Sequence, residues 1–165
     1  MSNLLAFIDT MILIWWVRQE ASPGQADMIR RAKWLMESLE QHNATVLISA
    51  VSFAEFLRGS SASQQQQQAA FLQQAVIIKG FDTLAAFVAA ELYPRAATME
   101  EYEKRKAVLK ADIQIVATAI AAKANVFYSH DAGCRQLATI GGIEAKDLPE
   151  IAPTLFQTDM DEDMP

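Results

Sequence analysis

LLAFIDT, residues 4–10, is an unbroken apolar run that ends in an aspartate and a threonine. Short apolar runs without alternation are typical of strands that are covered on both faces, as in parallel sheets. A helical pattern follows at once and continues to Glu20. In open α/β sheets, functional side chains lie where such a strand ends and the next helix begins. The stretch therefore predicts a parallel sheet with Asp9 at its functional edge.

The composition is that of one globular domain. The chain has 165 residues, of which 52% are apolar and 21% charged, and this is enough to bury a sizeable core. We expect a single domain over residues 1–156 and an acidic, disordered tail over residues 157–165. The formal net charge of −6 argues against a protein that holds nucleic acid by bulk positive charge. An RNA-binding role would therefore depend on metal ions and on a local cationic rim.

The sequence carries no signal for membrane insertion or export. No apolar run approaches the roughly 20 residues that span a bilayer, and no signal-peptide pattern is present. The single cysteine, Cys134, cannot form an internal disulfide, which fits a reducing compartment. Without a marked base nearby, Cys134 is interpreted as a small buried residue rather than a nucleophile. We expect a cytoplasmic protein without membrane contact.

Strand and helix patterns alternate along the chain. Strands are predicted over residues 4–8, 45–48, 76–78, 126–128 and near 143–144. Helices are predicted over residues 10–20, 25–41, 50–57, 63–74, 82–92, 99–110, 112–124 and 133–138. Ser49, Ser63 and Asp82 are predicted N-caps, and Pro94 is predicted to end the helix that Asp82 begins. For the glutamine run at residues 64–68, a flexible loop is the alternative to a helix. The alternation predicts an α/β sandwich with parallel strands and right-handed crossovers.

Four acids follow or adjoin the predicted element ends. Asp9 and Asp131 follow the first and fourth strands, Asp112 opens the helix before the fourth strand, and Glu55 lies in an apolar helix after the second. Crowded carboxylates repel one another, and oxygen ligands of this kind suit Mg²⁺ or Mn²⁺. Such a site can activate water against a phosphodiester. Taken singly, each acid has another reading, as a helix cap, a turn residue or part of a solvated face.

Four stretches, FIDTMILI, ISAVSFAEFLRG, KADIQIVATAIAAKA and VFYSHDAGCRQL, resemble the PIN domain, over about residues 3–148. The resemblance is to the VapC-type toxin ribonucleases of prokaryotic toxin–antitoxin pairs. It implies a three-layer α/β/α sandwich with a five-stranded parallel sheet in the order 3-2-1-4-5. It also implies Mg²⁺- or Mn²⁺-dependent hydrolysis of single-stranded RNA, a cognate antitoxin partner and a homodimer.

The resemblance assigns roles residue by residue. It places the catalytic acids at Asp9, Glu55, Asp112 and Asp131, with the first, third and fourth of these as metal ligands. Thr10 and Ser129 are implied as supporting hydroxyl residues. The sequence departs from the family at Met11, where these toxins commonly have asparagine, and methionine cannot make the same polar contacts. Because all four acids are present, we expect metal binding to persist.

Several cations lie near the predicted site and are candidates to grip RNA phosphate. They are Arg18, Arg58, Lys79 and Arg135, with His130 as a candidate substrate residue beside Asp131; each also has a reading as an ordinary surface residue. Two other functions stay open. The first is a non-catalytic PIN-like binding module with a pocket altered at Met11. The second, an aspartyl-phosphate phosphatase, is disfavoured because it would need a second aspartate at position 11.

Overall fold

The computed structural model describes residues 3–100 and 106–151. Five parallel strands form one sheet in the order β3-β2-β1-β4-β5, which confirms the expected topology. The strands are β1 Leu5–Ile8, β2 Thr45–Ser49, β3 Ile77–Lys79, β4 Val126–Tyr128 and β5 Glu144–Lys146. In register, Ala6 of β1 lies beside Val46 on one side and Val126 on the other. The first strand is therefore the centre of the sheet.

Helices connect the strands and cover the sheet. They are α1 Thr10–Leu13, α2 Ala26–Gln41, α3 Ala50–Arg58, α4 Ala62–Ala75, α5 Thr83–Ala96, α6 Lys106–Ala121 and α7 Ala132–Ile140. After α1 the chain continues as a π-helical turn, Ile14–Arg18, which ends at Gln19 in the left-handed conformation. Within the described residues, no helix is both long and apolar enough to span a membrane.

The core lies in two layers, one on each face of the sheet. Ala6 and Ile8 point into the layer that contains Trp15 and Leu35. Phe7, between them in β1, points into the opposite layer and stacks on Phe127 of β4, with ring centroids 6.0 Å apart. Because successive side chains of a strand face opposite ways and both faces are covered, β1 is apolar throughout. This is the physical reason for the unbroken run in the sequence.

The glutamine run is helical, so the flexible-loop alternative is wrong. The cap, however, is Ser61 and not Ser63. Ser61 has extended backbone angles, and the Gln64 side chain returns to accept from the Ser61 backbone N–H at 3.0 Å. This reciprocal capping box places the N-cap two residues earlier than expected.

Pro94 lies inside α5 and does not end it, contrary to the sequence-based expectation. Proline removes one backbone donor, but the helix continues to Ala96, and Ala97 N donates to Tyr93 O at 2.9 Å. Leu92 and Ala96 are buried on either side of the proline. Tertiary packing therefore outweighs the local cost of proline here.

Asp112 does not open a helix, because it lies inside α6, Lys106–Ala121. Residues 106–110 of the predicted charged helix thus belong to the same helix as the apolar segment after them, and residues 101–105 lie outside the described residues. The helix ends at Ala121, with Lys123 at a positive φ of 55°, rather than at Asn125. Asn125 instead accepts from the Leu5 backbone N–H through Oδ1 at 2.7 Å.

The remaining boundaries agree closely with expectation. Ser49 and Asp82 are N-caps, as predicted, and each side chain accepts from a backbone N–H three residues on. The short fifth strand begins at Glu144, one residue after the predicted position. The acidic tail predicted over residues 157–165 lies outside the described residues.

Candidate active site

Asp9 lies at the carboxyl end of the central strand, and its side chain caps the helix that follows. Its Oδ1 accepts from the Thr10 backbone N–H at 2.6 Å. Its own backbone N–H donates to the carbonyl of Tyr128 at 3.1 Å. The residue is only 8% exposed. The cap reading of Asp9 and its predicted place at the carboxyl end of the first strand are therefore both correct.

Ser129 joins the ends of the first and fourth strands. Its hydroxyl donates to Asp9 Oδ2 at 2.7 Å and accepts from the Asp131 backbone N–H at 3.1 Å. Ser129 is fully buried. The Ser129 hydroxyl thus fixes the Asp9 carboxylate and also the backbone of Asp131.

Thr10 joins the first strand end to the helix that carries Glu55. Its hydroxyl donates to Glu55 Oε2 at 2.7 Å, across 45 residues of sequence. Thr10 is buried and Glu55 is half-buried. Glu55 is therefore not on a solvated face, and its carboxylate is directed to the same edge of the sheet as Asp9.

Asp131 caps α7, where its Oδ1 accepts from the Cys134 backbone N–H at 2.9 Å. The Cys134 side chain, in the first turn of α7, is buried. Burial raises the pKa of its thiol well above the ordinary value, and the charges of Asp9, Asp112 and Asp131 raise it further. The charges of all three predicted metal ligands thus act on one buried thiol, although Asp112 comes from the middle of a helix and not from its start.

The electrostatics of Asp9 reflect this crowding. Burial is the largest influence and raises the pKa of the Asp9 carboxyl, against the hydrogen bonds from Ser129 and Thr10, which lower it. The charges of Asp131 and Glu55 add to the upward shift. Asp9 is thus a carboxylate whose charged form is held by two donors and opposed by its neighbours.

The carboxylates that were predicted as metal ligands have the right chemistry for a hard divalent cation. In the described residues, however, they do not form a cluster that could hold one. Within residues 3–100 and 106–151, no three His, Cys, Asp or Glu side chains stand close enough together to hold a metal ion. The oxygens of Asp9, Asp112 and Asp131 are nevertheless the ligands that Mg²⁺ and Mn²⁺ prefer. A cation would also relieve the repulsion that raises the pKa of Asp9. Met11 is 39% exposed, so the departure at this position places an apolar side chain at the surface of α1.

The cationic residues that were predicted to bind phosphate come from different elements of the fold. Arg18 pairs with Glu20, and its guanidinium packs against Gly59, at the end of α3. Arg58, in the last turn of α3, is exposed, and Lys79 ends β3 half-buried. Arg18 and Arg58 thus lie at the α3 side of the site.

Arg135 is the predicted cation that the structure ties to the acids most directly. Its Nη1 donates to the Ser129 carbonyl at 2.8 Å and lies 3.5 Å from Asp147 Oδ2. The guanidinium therefore contacts the same residue that holds the Asp9 carboxylate.

Asp147 is a residue that sequence reasoning missed. It follows β5 directly and contacts His130, with Oδ1 and Oδ2 at 3.0 and 3.3 Å from Nδ1. The signal was available, because Asp147 is an acid at a strand end, as are Asp9 and Asp131. The fifth strand was too short and too polar for its end to be placed from sequence.

Trp15 completes this side of the site. Its ring meets the His130 ring edge-on, with centroids 5.7 Å apart at 71°. Trp15 is 1% exposed, and among the described residues its indole N–H is a buried donor without a protein acceptor.

Comparison with known proteins places the chain in a family. The model of the PIN domain family matches residues 6–140. No curated protein sequence matches the chain significantly.

Solved structures share the fold. One is the structure of VapBC2 from Rickettsia felis bound to a DNA fragment from its promoter. Its TM-score is 0.63, with 18% sequence identity, and the match covers 88% of this chain and 100% of that one. Another is VapBC-1 from nontypeable Haemophilus influenzae, with a TM-score of 0.62 and 17% identity over 88% and 98% of the two chains. A third is a toxin–antitoxin complex from Klebsiella pneumoniae, with a TM-score of 0.58 and 23% identity over 88% and 99%.

The family match spans the central strand, the helix with Glu55 and the acids of α6 and α7. The strand order, observed independently of that match, is the one that the family resemblance implied. With residues 6–140 matched in a chain of 165, the protein belongs to the PIN domain family.

Proposed function

We propose that this chain is a metal-dependent endoribonuclease that hydrolyses single-stranded RNA. The observation that carries the proposal is the state of Asp9, a buried carboxylate fixed by two donors, whose pKa is raised by burial and by the charges of Asp131 and Glu55. Such crowding destabilises the folded chain, and perturbed acids of this kind concentrate at active sites. Membership of the PIN family supports the same reading.

Asp9, Asp112 and Asp131 would hold Mg²⁺ or Mn²⁺. When bound, such an ion lowers the pKa of a coordinated water and stabilises charge on a phosphodiester. The protein's own groups do the rest. Ser129 and the Thr10 backbone N–H keep the Asp9 carboxylate in one orientation, and the Thr10 hydroxyl does the same for Glu55. Glu55 is then placed to accept a proton from the attacking water, while Arg18, Arg58 and Arg135 balance the phosphate charge.

We further propose that the enzyme is the toxin of a type II toxin–antitoxin pair and acts in the cytoplasm as a homodimer. The support is the fold shared with the VapBC structures. The surface offers room for an antitoxin segment. A cavity of about 570 Å³ is lined by Trp16, Lys33 and Phe71 among others, and the Trp16 and Phe71 rings lie 5.4 Å apart.

The test is cleavage of a mixed-sequence single-stranded RNA with Mn²⁺ by wild type, Asp9→Asn and a matched control, Asp27→Asn. Asp27 is an exposed acid at the start of α2 that pairs with Arg30. We expect wild type and the control to cleave and Asp9→Asn to lose activity by at least about a hundredfold. Equal cleavage by wild type and Asp9→Asn would remove the catalytic assignment.

A second candidate function is a non-catalytic PIN-like binding module. The observation that favours it is Met11, an exposed apolar residue where the family commonly has asparagine. Calorimetric titration distinguishes the two functions. The nuclease binds Mg²⁺ or Mn²⁺ in the millimolar range or tighter and loses that binding in Asp9→Asn. The absence of any metal binding would favour the module.

A further inference from the structure

The His130 side chain is held in one orientation by two elements from other parts of the chain. Asp147, after β5, faces Nδ1 at 3.0 Å, and the Trp15 ring meets the imidazole edge-on. Asp147 is itself fixed, because its Oδ1 also accepts from the Leu148 backbone N–H at 2.7 Å. The imidazole is therefore positioned by packing and by a hydrogen bond, rather than free to turn.

This contact sets the tautomer of the neutral ring. A carboxylate oxygen can only accept, so the nitrogen that faces it must carry the proton. The neutral imidazole then has Nδ1 as its donor and Nε2 as its acceptor. Within the described part of the chain, no protein group is hydrogen-bonded to His130 Nε2. The side chain is 40% exposed, so a ligand can reach it.

His130 also lies beside the acids. It is the residue between Ser129, which donates to Asp9, and Asp131, which caps α7. Because His130 is covalently joined to Ser129 and to Asp131, we take a nucleotide bound at Asp9 and Asp131 to bring a ribose toward the His130 ring. A lone pair on Nε2 repels phosphate oxygens, and Arg135, with donors only, suits the phosphate better.

We propose that His130 is a specificity-determining residue that accepts a hydrogen bond through Nε2 from the 2′-hydroxyl of a ribose next to the cleaved bond, and that Asp147 is its positioning residue. The inference rests on the proposed function as a ribonuclease. Among the groups of a nucleic-acid backbone, the 2′-hydroxyl is the one that can donate, and it distinguishes RNA from DNA. A deoxyribose leaves Nε2 desolvated and without a partner, which costs binding.

The experiment compares an oligoribonucleotide with versions that carry a single 2′-deoxy nucleotide on either side of the cleaved bond. The measured quantity is the ratio of kcat/KM for the all-ribose substrate to that for each deoxy version. The variants are His130→Phe, which retains a ring against Trp15, and His42→Phe as the matched control. His42 is the other histidine of the chain, and its Nδ1 is also engaged, 2.7 Å from the Ser38 carbonyl, but at the end of α2.

At one of the two positions, we expect this ratio of kcat/KM values to be roughly three- to tenfold larger in wild type and in His42→Phe than in His130→Phe. His130→Phe should lose activity on the ribose substrate and little on the deoxy version, so that its ratio falls toward one. An unchanged ratio in His130→Phe at both positions overturns the proposal, even where overall activity falls.

Asp147 provides an independent test. In Asp147→Asn the amide oxygen can still accept from Nδ1–H and from Leu148 N, with the amide nitrogen on the Arg135 side. Asp147→Ala cannot. We expect Asp147→Asn to retain the ratio and Asp147→Ala to lose it, and ¹⁵N spectra to show the Nδ1–H tautomer of His130 in wild type and Asp147→Asn alone. If both variants retain the wild-type ratio, or if wild type shows the opposite tautomer, Asp147 does not position His130.

Binding separates this inference from the proposed function. The same oligonucleotides are bound to Asp9→Asn, with and without His130→Phe, and their affinities are measured by fluorescence anisotropy. A ribose preference that depends on His130, without RNA cleavage by wild type, would retain the 2′-hydroxyl contact and remove the nuclease. RNA cleavage that depends on Asp9, with no ribose preference lost in His130→Phe, would retain the nuclease and remove the contact.

Discussion

Ser129 and Asp9, 120 residues apart in sequence, share a 2.7 Å hydrogen bond in which the serine hydroxyl is the donor. Since the same hydroxyl accepts from the Asp131 backbone N–H, the bond holds two of the four acids in one arrangement. The second donor, the Thr10 backbone N–H, bonds the other carboxylate oxygen, Oδ1, so it cannot substitute for the serine at Oδ2.

Ser129→Ala is expected to destabilise the protein and to raise the pKa of Asp9 further, because the serine bond lowers that pKa in the wild type. The loss of a buried bond to a charged group costs about 1.5–3 kcal/mol. For a chain of this size each kcal/mol lowers Tm by about 2–4 °C. Urea and thermal unfolding measure the change. The control is Ser60→Ala, which loses a bond of the same length to the neutral Gln68 amide. An equal or larger cost in the control would contradict the role of charge.

Asp9→Asn is expected to stabilise the metal-free protein at neutral pH. The pKa of Asp9 is raised in the folded state above its ordinary value of 3.8, so its contribution to stability is fully present below pH 3.8 and is lost as pH rises through the folded pKa. Asparagine does not ionise, so the variant does not lose this stability as the pH rises. The Tm difference between variant and wild type, measured with EDTA, should therefore be positive at neutral pH and shrink as the pH falls toward 3.8. A difference that grows on acidification would reverse the sign of the argument.

With Mg²⁺ or Mn²⁺ added, the order of the same two proteins should invert. Ligand binding to the folded state stabilises it by mass action, and Asp9→Asn lacks one of the proposed ligands. Wild type is expected to gain Tm with metal concentration while Asp9→Asn does not. Equal gains in both proteins would place the metal elsewhere.

Thr10→Val keeps the shape of the side chain but removes the hydroxyl that donates to Glu55 Oε2 at 2.7 Å. We expect a loss of about 1–3 kcal/mol in the free energy of unfolding, since Glu55 is half-buried and loses a donor. RNA cleavage should fall as well, because the Glu55 carboxylate is no longer fixed. Thr10→Ser retains the hydroxyl and is expected to stay close to wild type in both measurements. Similar defects in the two variants would point to packing rather than to the hydrogen bond.

Gly59→Ala tests the contribution of Arg18 without changing Arg18. A Cβ at Gly59 would lie 2.3 Å from Arg18 Nη1, so the guanidinium must move, which a flexible side chain does cheaply. We expect stability within about 1 kcal/mol of wild type and a two- to fivefold loss of RNA affinity, on the order of a weakened phosphate contact. Gly80→Ala, where an added Cβ meets nothing within 4 Å, is the control. Unchanged RNA affinity in Gly59→Ala would remove Arg18 from the substrate-binding set.

Much of the fold can be predicted from the spacing of apolar residues and from the capping residues in the sequence. The run at residues 4–8 is apolar because both faces of β1 are covered, and that property is readable without coordinates. The caps at Ser49 and Asp82 are equally local. The Ser61 cap is also local and was missed by two residues, whereas the boundary at Pro94 depends on distant contacts. Pro94 stays helical because Leu92 and Ala96 are buried around it, and no local pattern reports that burial.

The candidate site divides in the same way. Asp9 and Asp131 could be placed from sequence because strand ends of a parallel sheet share one edge. Asp112 was wrongly placed at the start of a helix, since the residues before it continue the helical pattern of the residues after it. Asp147 was missed because β5 is three residues long and two of them are charged, so hydrophobic periodicity does not mark it. Its relation to His130 is a tertiary contact that only the sheet order brings about.

The pairing of β1 with β4 also decides when the site can form. The Leu5 backbone donates to the Asn125 side chain 120 residues away, and Asp9 receives its serine donor over the same separation. Contacts of such high sequence separation form late, after the loop between them has closed. During synthesis at roughly 5–20 residues per second, the interval between the two strands is on the order of ten seconds. The nascent chain therefore carries an isolated Asp9 for most of its synthesis, and the arrangement of acids is completed only when the last third of the domain has emerged.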